Sequence, residues 1–302
     1  MSEDTPPFLE QVLSEPSGDY QKTILPIREL QSLTDRMEQF ERAVKKRIRG
    51  DPSGHPHLTL ELFLHYINEH FIKNNKDCMI LVTGPKGSGK SSLALRALQI
   101  WRRNISDEHK FLSLKYLKKH MVFTADPAEI KLLIRNTEKG NFLFFDEATR
   151  FLLNEDWNTR ESKSLKKIFA EVRPRNLVYM FNCPFRIRYI DKKYVSDLFE
   201  FWIVIFGWDR AAVFRRNLNP AEEGYDITQF EKLGYIHAEM SLKDWNRLKR
   251  KLAKMPNFFC FLRWGKIGES VYNKYEALRN EHVFKVNNEI RTSSAVRKKP
   301  LL

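Results

Sequence analysis

Residues 84–91 read Gly-Pro-Lys-Gly-Ser-Gly-Lys-Ser, the pattern G-x-x-x-x-G-K-S. Just before it, the short apolar run 78–83 reads as a buried strand. Just after it, residues 92–100 are rich in Leu and Ala and carry an apolar stripe, which reads as a helix. A strand, a glycine-rich loop and a helix in that order cradle a polyphosphate, because the backbone N–H groups of the turn and of the helix N-terminus point at the anion. Gly84, Pro85, Lys86, Gly87, Ser88, Gly89, Lys90, Ser91 and Ser92 are therefore the candidate nucleotide-binding residues. Within them, Lys90 is placed to reach the β- and γ-phosphates and the Ser91 hydroxyl to ligate Mg²⁺.

The chain beyond the loop alternates the two kinds of element. Residues 120–124 read as a short strand, 127–135 as a helix, and 141–145 as an apolar strand ending at Asp146-Glu147. A helix over 164–172, a strand over 177–182 and a strand over 199–206 follow, with 211–216 returning as a hairpin partner. Alternation of this sort implies an α/β fold: a mainly parallel sheet with helices on both faces, of the P-loop nucleotide-hydrolase type. Ahead of the loop, Leu30, Leu33, Met37, Phe40 and Val44 recur at three and four residues, a helical stripe, and 60–72 reads as a second amphipathic helix. The expected organisation is a segment 1–55 with a charged helix, an ATPase domain over 56–240, and a basic helical extension with a tail over 241–302. In that extension, Leu242, Trp245, Leu248 and Leu252 share one face of a basic helix, which either packs on the core or presents Lys and Arg to a partner. Residues 291–302 lack apolar periodicity and read as disordered.

Ligands of open parallel sheets bind at the carboxyl ends of the strands. Gly84, Asp146 and Asn182 all follow such ends, so the three can converge. An apolar strand closed by two acids, about sixty residues after the loop, is the Walker B arrangement. There Asp146 holds Mg²⁺ and Glu147 polarises an attacking water; as bare structure, Asp146 also suits a helix N-cap. Asn182 at the tip of the next strand suits a sensor of the γ-phosphate, or a simple strand cap. Arg150, Arg160, Arg173 and Arg175 are candidates for an arginine finger, with Arg173-Pro-Arg175 best placed for a subunit interface; each also fits ordinary surface charge. The only string resembling a guanine-reading motif, Asn75-Lys-Asp77, precedes the loop, which points to ATP over GTP.

The net charge is +14, and most of it is C-terminal: residues 1–55 carry −2, 56–240 carry +6 and 241–302 carry +10. A concentrated basic segment fits nucleic acid, or a solvated tail. The stretch 186–194 interleaves Arg186, Arg188, Lys192 and Lys193 with Tyr189 and Tyr194, which suits phosphate contacts and base stacking, or a solvated loop with two inward aromatics. Three scattered cysteines show no metal spacing or disulfide framework, and no leader or membrane-length apolar run is evident. The expectation is a cytoplasmic protein without a membrane span.

The runs Phe144-Phe-Asp-Glu-Ala-Thr-Arg-Phe151, Asn154-Glu-Asp-Trp-Asn-Thr-Arg-Glu-Ser-Lys163 and Phe169-Ala-Glu-Val-Arg-Pro-Arg-Asn-Leu177 resemble P-loop ATPases of mobile elements. They are similar to the zonular occludens toxin-like group and, more distantly, to the HerA/FtsK class of DNA-pumping ATPases. The resemblance spans residues 78–216. It implies ring assembly, action on DNA, Lys90 and Ser91 at the nucleotide and Mg²⁺, Asp146 at Mg²⁺, Glu147 as catalytic acid and Asn182 in the sensor place. The leading expectation is Mg²⁺-dependent ATP hydrolysis coupled to moving, packaging or remodelling DNA, as an oligomer. The alternatives are a nucleotide-dependent switch that recruits a partner with little turnover, and a small-molecule phosphotransferase.

Overall fold

The computed structural model describes residues 35–40, 42, 57–103, 112–124, 126–146, 148, 163–164, 167–169, 175–183, 198–207, 209–216, 242–253, 255 and 257–296. In chain order the elements are β1 (His57–Thr59), α1 (Leu60–Ile67), a π-helical turn (Asn68–Ile72), β2 (Cys78–Thr83), α2 (Lys90–Arg103), α3 (Leu114–His120), β3 (Met121–Val122), α4 (Pro127–Asn136), β4 (Phe142–Phe145), β5 (Val178–Cys183), β6 (Phe201–Gly207), β7 (Arg210–Arg215), α5 (Leu242–Leu252), β8 (Phe258–Arg263) and α6 (Glu269–Val296). The strands form one eight-stranded sheet in the order β1-β8-β7-β6-β2-β5-β4-β3. Pairing is parallel from β6 through β2, β5 and β4 to β3, and again between β1 and β8; only β7 runs antiparallel to both its neighbours. The expected α/β P-loop architecture is present, including the β6–β7 hairpin.

Every residue of β2, β4 and β5 is buried, as strands covered on both faces require. Alternate residues feed two cores. Cys78, Ile80 and Val82 join α1, α2 and α6 on one face. Met79 and Leu81 join α4, α5 and helical residues Ile168 and Phe169 on the other. Local chemistry starts the helices where it should. Thr59 Oγ1, Ser113 Oγ and Asp126 Oδ1 each accept a backbone N–H of the first turn, and Pro127 occupies the first turn of α4, where its missing donor costs nothing.

Several elements depart from the sequence reading. The 60–72 helix loosens into a π-turn after Ile67. His120 ends α3 instead of opening β3. From the N-terminal stripe, Met37 and Phe40 lie in the core, with the Phe40 ring 5.2 Å from that of Phe259; Leu30, Leu33 and Val44 lie outside the described residues. Two elements were not anticipated. Strand β8, inside the basic segment, is an internal strand between β7 and β1. Helix α6 runs to Val296, so residues 291–296, expected to be disordered, are helical. A docked helix extends by adding one hydrogen bond per residue, and this needs propensity, not an apolar stripe. In helix α5, Leu248 and Leu252 pack into the core while Arg247, Arg250 and Lys251 are exposed; the side chains of Leu242 and Trp245 lie outside the described residues. No helix among the described residues is long and apolar enough to cross a membrane.

His120 is a buried polar residue of this frame. Its Nδ1 lies 2.8 Å from the Phe142 carbonyl, to which it donates. Burial holds its pKa down, at about 4, against the usual 6.5. The folded protein therefore prefers the neutral ring, and stability that is complete above pH 6.5 is lost as pH falls toward 4. The expected loss from this one residue is about 3 kcal/mol. Denaturant titrations across that range should show a shallower pH slope for His120→Gln than for the wild type; parallel slopes would contradict it.

Candidate nucleotide site

The site is set by strand register. Val82 pairs with Asn182, and Phe145 pairs with Phe181, so Asp146 stands level with Asn182 one strand away. Parity puts Val82, Asn182 and Asp146 on the face that carries α2 and α6. The backbone pins both positions: Asp146 N–H donates to the Val122 carbonyl at 3.0 Å, and Ala148 N–H to the Asn182 carbonyl at 2.9 Å. On the opposite face, Trp202 Nε1 donates to Thr83 Oγ1 at 2.8 Å and fixes the last residue before the loop.

The loop itself needs glycine in two ways. Gly87 and Gly89 have φ of +77° and +94°, the left-handed region that glycine enters at no steric cost. At Gly84 the reason is space: a Cβ there would sit 2.8 Å from Ser88 Oγ and 3.1 Å from the Ile205 carbonyl oxygen. Lys90 is buried, and its Nζ donates to the Gly84 and Pro85 carbonyls at 2.9 and 2.7 Å. Burial lowers the Lys90 pKa below the ordinary lysine value, an effect that Cys183 and Asp146 oppose.

Four side chains close into one network. Asn182 Nδ2 donates to Asp146 Oδ1 at 3.0 Å and lies 3.4 Å from Ser91 Oγ. The Tyr275 hydroxyl donates to Asp146 Oδ2 at 2.7 Å and lies 3.0 Å from Ser91 Oγ. Burial, then the Asp146 charge, push the Tyr275 phenol well above its ordinary range, so it keeps its proton and remains a donor. Asn182 Oδ1 is buried and accepts no hydrogen bond among the described residues. An uncommitted buried oxygen beside a carboxylate and a hydroxyl is a hard, oxygen-rich donor set, the kind that Mg²⁺ takes. Ser91 and Asp146 are the residues that could hold the metal, with the loop from Gly84 to Ser92 around the phosphates.

Of the residues singled out in the sequence, the structure thus brings together Gly84, Lys90, Ser91, Asp146 and Asn182. Glu147, Arg150, Arg160, Arg173 and the 186–194 stretch lie outside the described residues. Arg175 stands just before β5, at the end of that strand remote from the loop. There its guanidinium donates to the Arg135 carbonyl and, at 3.4 Å, to that of Thr137, closing the C-terminus of α4. Asn75 and Asp77 sit at the same remote edge, where Asn75 bonds Asn176 and Asp77 accepts the Leu177 N–H. Tyr275 was missed by sequence reasoning. Its signal is the spacing of Val271, Tyr275 and Leu278, all buried, which marks one face of a docked helix.

Residues 80–180 match the family model described as the ATPase family associated with various cellular activities (AAA). The match runs from within β2 to within β5 and so contains the loop and Asp146. It supports a P-loop ATPase, and with it nucleotide binding. Comparison with curated proteins gives no match.

Gly84 and Gly87 should respond differently to the same added methyl. Gly84→Ala forces Ser88 or Ile205 to move and should cost about 1–3 kcal/mol and weaken ATP binding. Gly87→Ala meets no atom within 4 Å, so only the backbone penalty of about 1 kcal/mol applies. Melting curves with and without ATP check the ordering; equal losses would contradict it.

Proposed function

We propose that this chain hydrolyses ATP with Mg²⁺ and couples the hydrolysis to moving, packaging or remodelling DNA, as an oligomer. The observation that carries the hydrolytic part is the convergence of Ser91 and Asp146 on Asn182, at 3.4 and 3.0 Å, at the lip of a glycine loop. Mg²⁺ on Ser91 and Asp146 would neutralise charge developing on the phosphates. Lys90 already sits within the loop and would exchange the Gly84 and Pro85 carbonyls for phosphate oxygens. Glu147, adjacent in sequence to Asp146, is assigned to orient and polarise the attacking water, and Asn182 to sense the γ-phosphate. Arg173 and Arg175 are assigned as finger candidates acting on the site of a neighbouring copy; Arg175 would have to release the Arg135 and Thr137 carbonyls to do so.

The nucleic-acid part rests on charge. Residues 241–302 carry +10, and α5 leaves Arg247, Arg250 and Lys251 exposed while Leu248 and Leu252 are buried in the core. The resemblance to DNA-pumping ATPases of mobile elements points the same way.

Phosphate release by the full chain, with and without single- and double-stranded DNA and RNA, tests both parts. Glu147→Gln should slow turnover by about 10²- to 10⁴-fold while keeping nucleotide binding. DNA should stimulate the wild type, and DNA binding should weaken steeply between about 50 and about 200 mM salt as counterion release is lost. Unchanged turnover in Glu147→Gln contradicts the catalytic assignment. Absence of both stimulation and salt-sensitive binding contradicts the DNA assignment.

A further inference from the structure

The Tyr275 hydroxyl stands between the two side chains assigned to the metal. It is within hydrogen-bond distance of both Ser91 Oγ and Asp146 Oδ2. Mg²⁺ needs oxygen ligands at about 2.0–2.1 Å in near-octahedral geometry, and it keeps several waters around it. A metal on Ser91, with its water shell turned to Asp146, needs the same lone pairs and the same space that the phenol takes. The phenol hydroxyl occupies that space and engages the Asp146 Oδ2 and Ser91 Oγ atoms directly, which makes it a competitor of the metal.

Tyr275 is carried by a helix attached along a narrow stripe. Val271, Tyr275 and Leu278 are buried, while Glu269, Ser270, Asn273, Ala277 and Asn280 are exposed. Other ties of that part of α6 reach α3 and its flanks. Glu281 pairs with Lys118 at 3.4 Å, Lys274 Nζ donates to the Leu112 carbonyl at 3.3 Å, and the His282 ring stacks 5.7 Å from that of Phe123. Half-buried Tyr272 packs against the same core, and among the described residues the Tyr275 hydroxyl makes the side-chain hydrogen bonds that join this helix to Ser91 and Asp146.

We propose that α6 is a latch whose Tyr275 hydroxyl competes with nucleotide-bound Mg²⁺ for Ser91 and Asp146, so that binding of Mg·ATP releases the N-terminal half of α6. The inference rests on the reading of this site as a Mg·ATP site. It makes α6, itself part of the basic C-terminal segment, the element that responds to nucleotide state.

Tyr275→Phe keeps the buried ring and removes only the competing oxygen. In the full chain, ATP affinity is measured by titration with Mg²⁺ and again with excess chelator. The variant should bind Mg·ATP about tenfold more tightly than the wild type, the scale of one hydrogen bond to a charged group, with little change in the chelated arm. Leu278→Ala, which loosens the stripe without touching the network, should shift Mg·ATP affinity in the same direction. Hydrogen exchange gives an independent readout on the unmodified chain: protection over 271–282 should fall with Mg·ATP and not with ATP plus chelator. Weaker Mg·ATP binding by Tyr275→Phe would make Tyr275 a positioning residue for Asp146 and overturn the latch. An unchanged affinity ratio, or unchanged protection with Mg·ATP bound, would overturn it equally. A wild type that binds no ATP in either arm fails the proposed function itself, and the latch with it.

Discussion

Val82 beside Asn182, and Phe145 beside Phe181, are two pairings of one parallel ladder, and the nucleotide site depends on them. The side-chain period of a strand is two, so a slip of one residue in β5 would turn Asn182 to the face of α4 and α5 and leave Asp146 without its partner. Register is held by burial: β2, β4 and β5 have no exposed residue, and each face has its own core. At the far edge, Asn75 with Asn176 and Asp77 with Leu177 N–H tie the starts of β2 and β5 together. The chemistry at one end of the ladder is thus supported by unrelated polar contacts at the other.

Much of this was legible because it is local. The glycine loop, the apolar strand ending in Asp146 and the polar tip at Asn182 each announce themselves in a few residues, and the α/β alternation places them at one sheet edge. The basic helix α5 was also legible, since three- and four-residue spacing of leucines reports a buried face whatever it packs on. The order of the strands was less so. That β5 lies beside β2 follows from the P-loop pattern, but the placement of β8 between β7 and β1 depends on pairings between residues far apart in the chain. Residues 258–262 of β8 are as apolar as β4, yet they sit inside a segment of strong positive charge.

Tyr275 was illegible for a different reason. A tyrosine on an amphipathic helix is ordinary, and nothing near it in sequence mentions Asp146, which is 129 residues away. The packing of Val271 and Leu278 on the α2 face brings the hydroxyl to Ser91 and Asp146. Arg175 shows the opposite case. It sits in a stretch that reads as a finger, but within its own chain the guanidinium is spent on carbonyls at the end of α4. Residue type and spacing nominate a group; the partners it already has decide what it is free to do.

Ser91 and Asp146, at the ends of the loop and of β4, are proposed as the metal side of an ATP site. The most direct measurement is a crystal structure of the full chain with Mg²⁺ and a non-hydrolysable ATP analogue. The β- and γ-phosphates should lie against the backbone of residues 84–91, with the metal on Ser91 Oγ and Asp146 in its coordination sphere. A triphosphate bound elsewhere, or a metal with neither Ser91 nor Asp146 near it, would contradict the proposal.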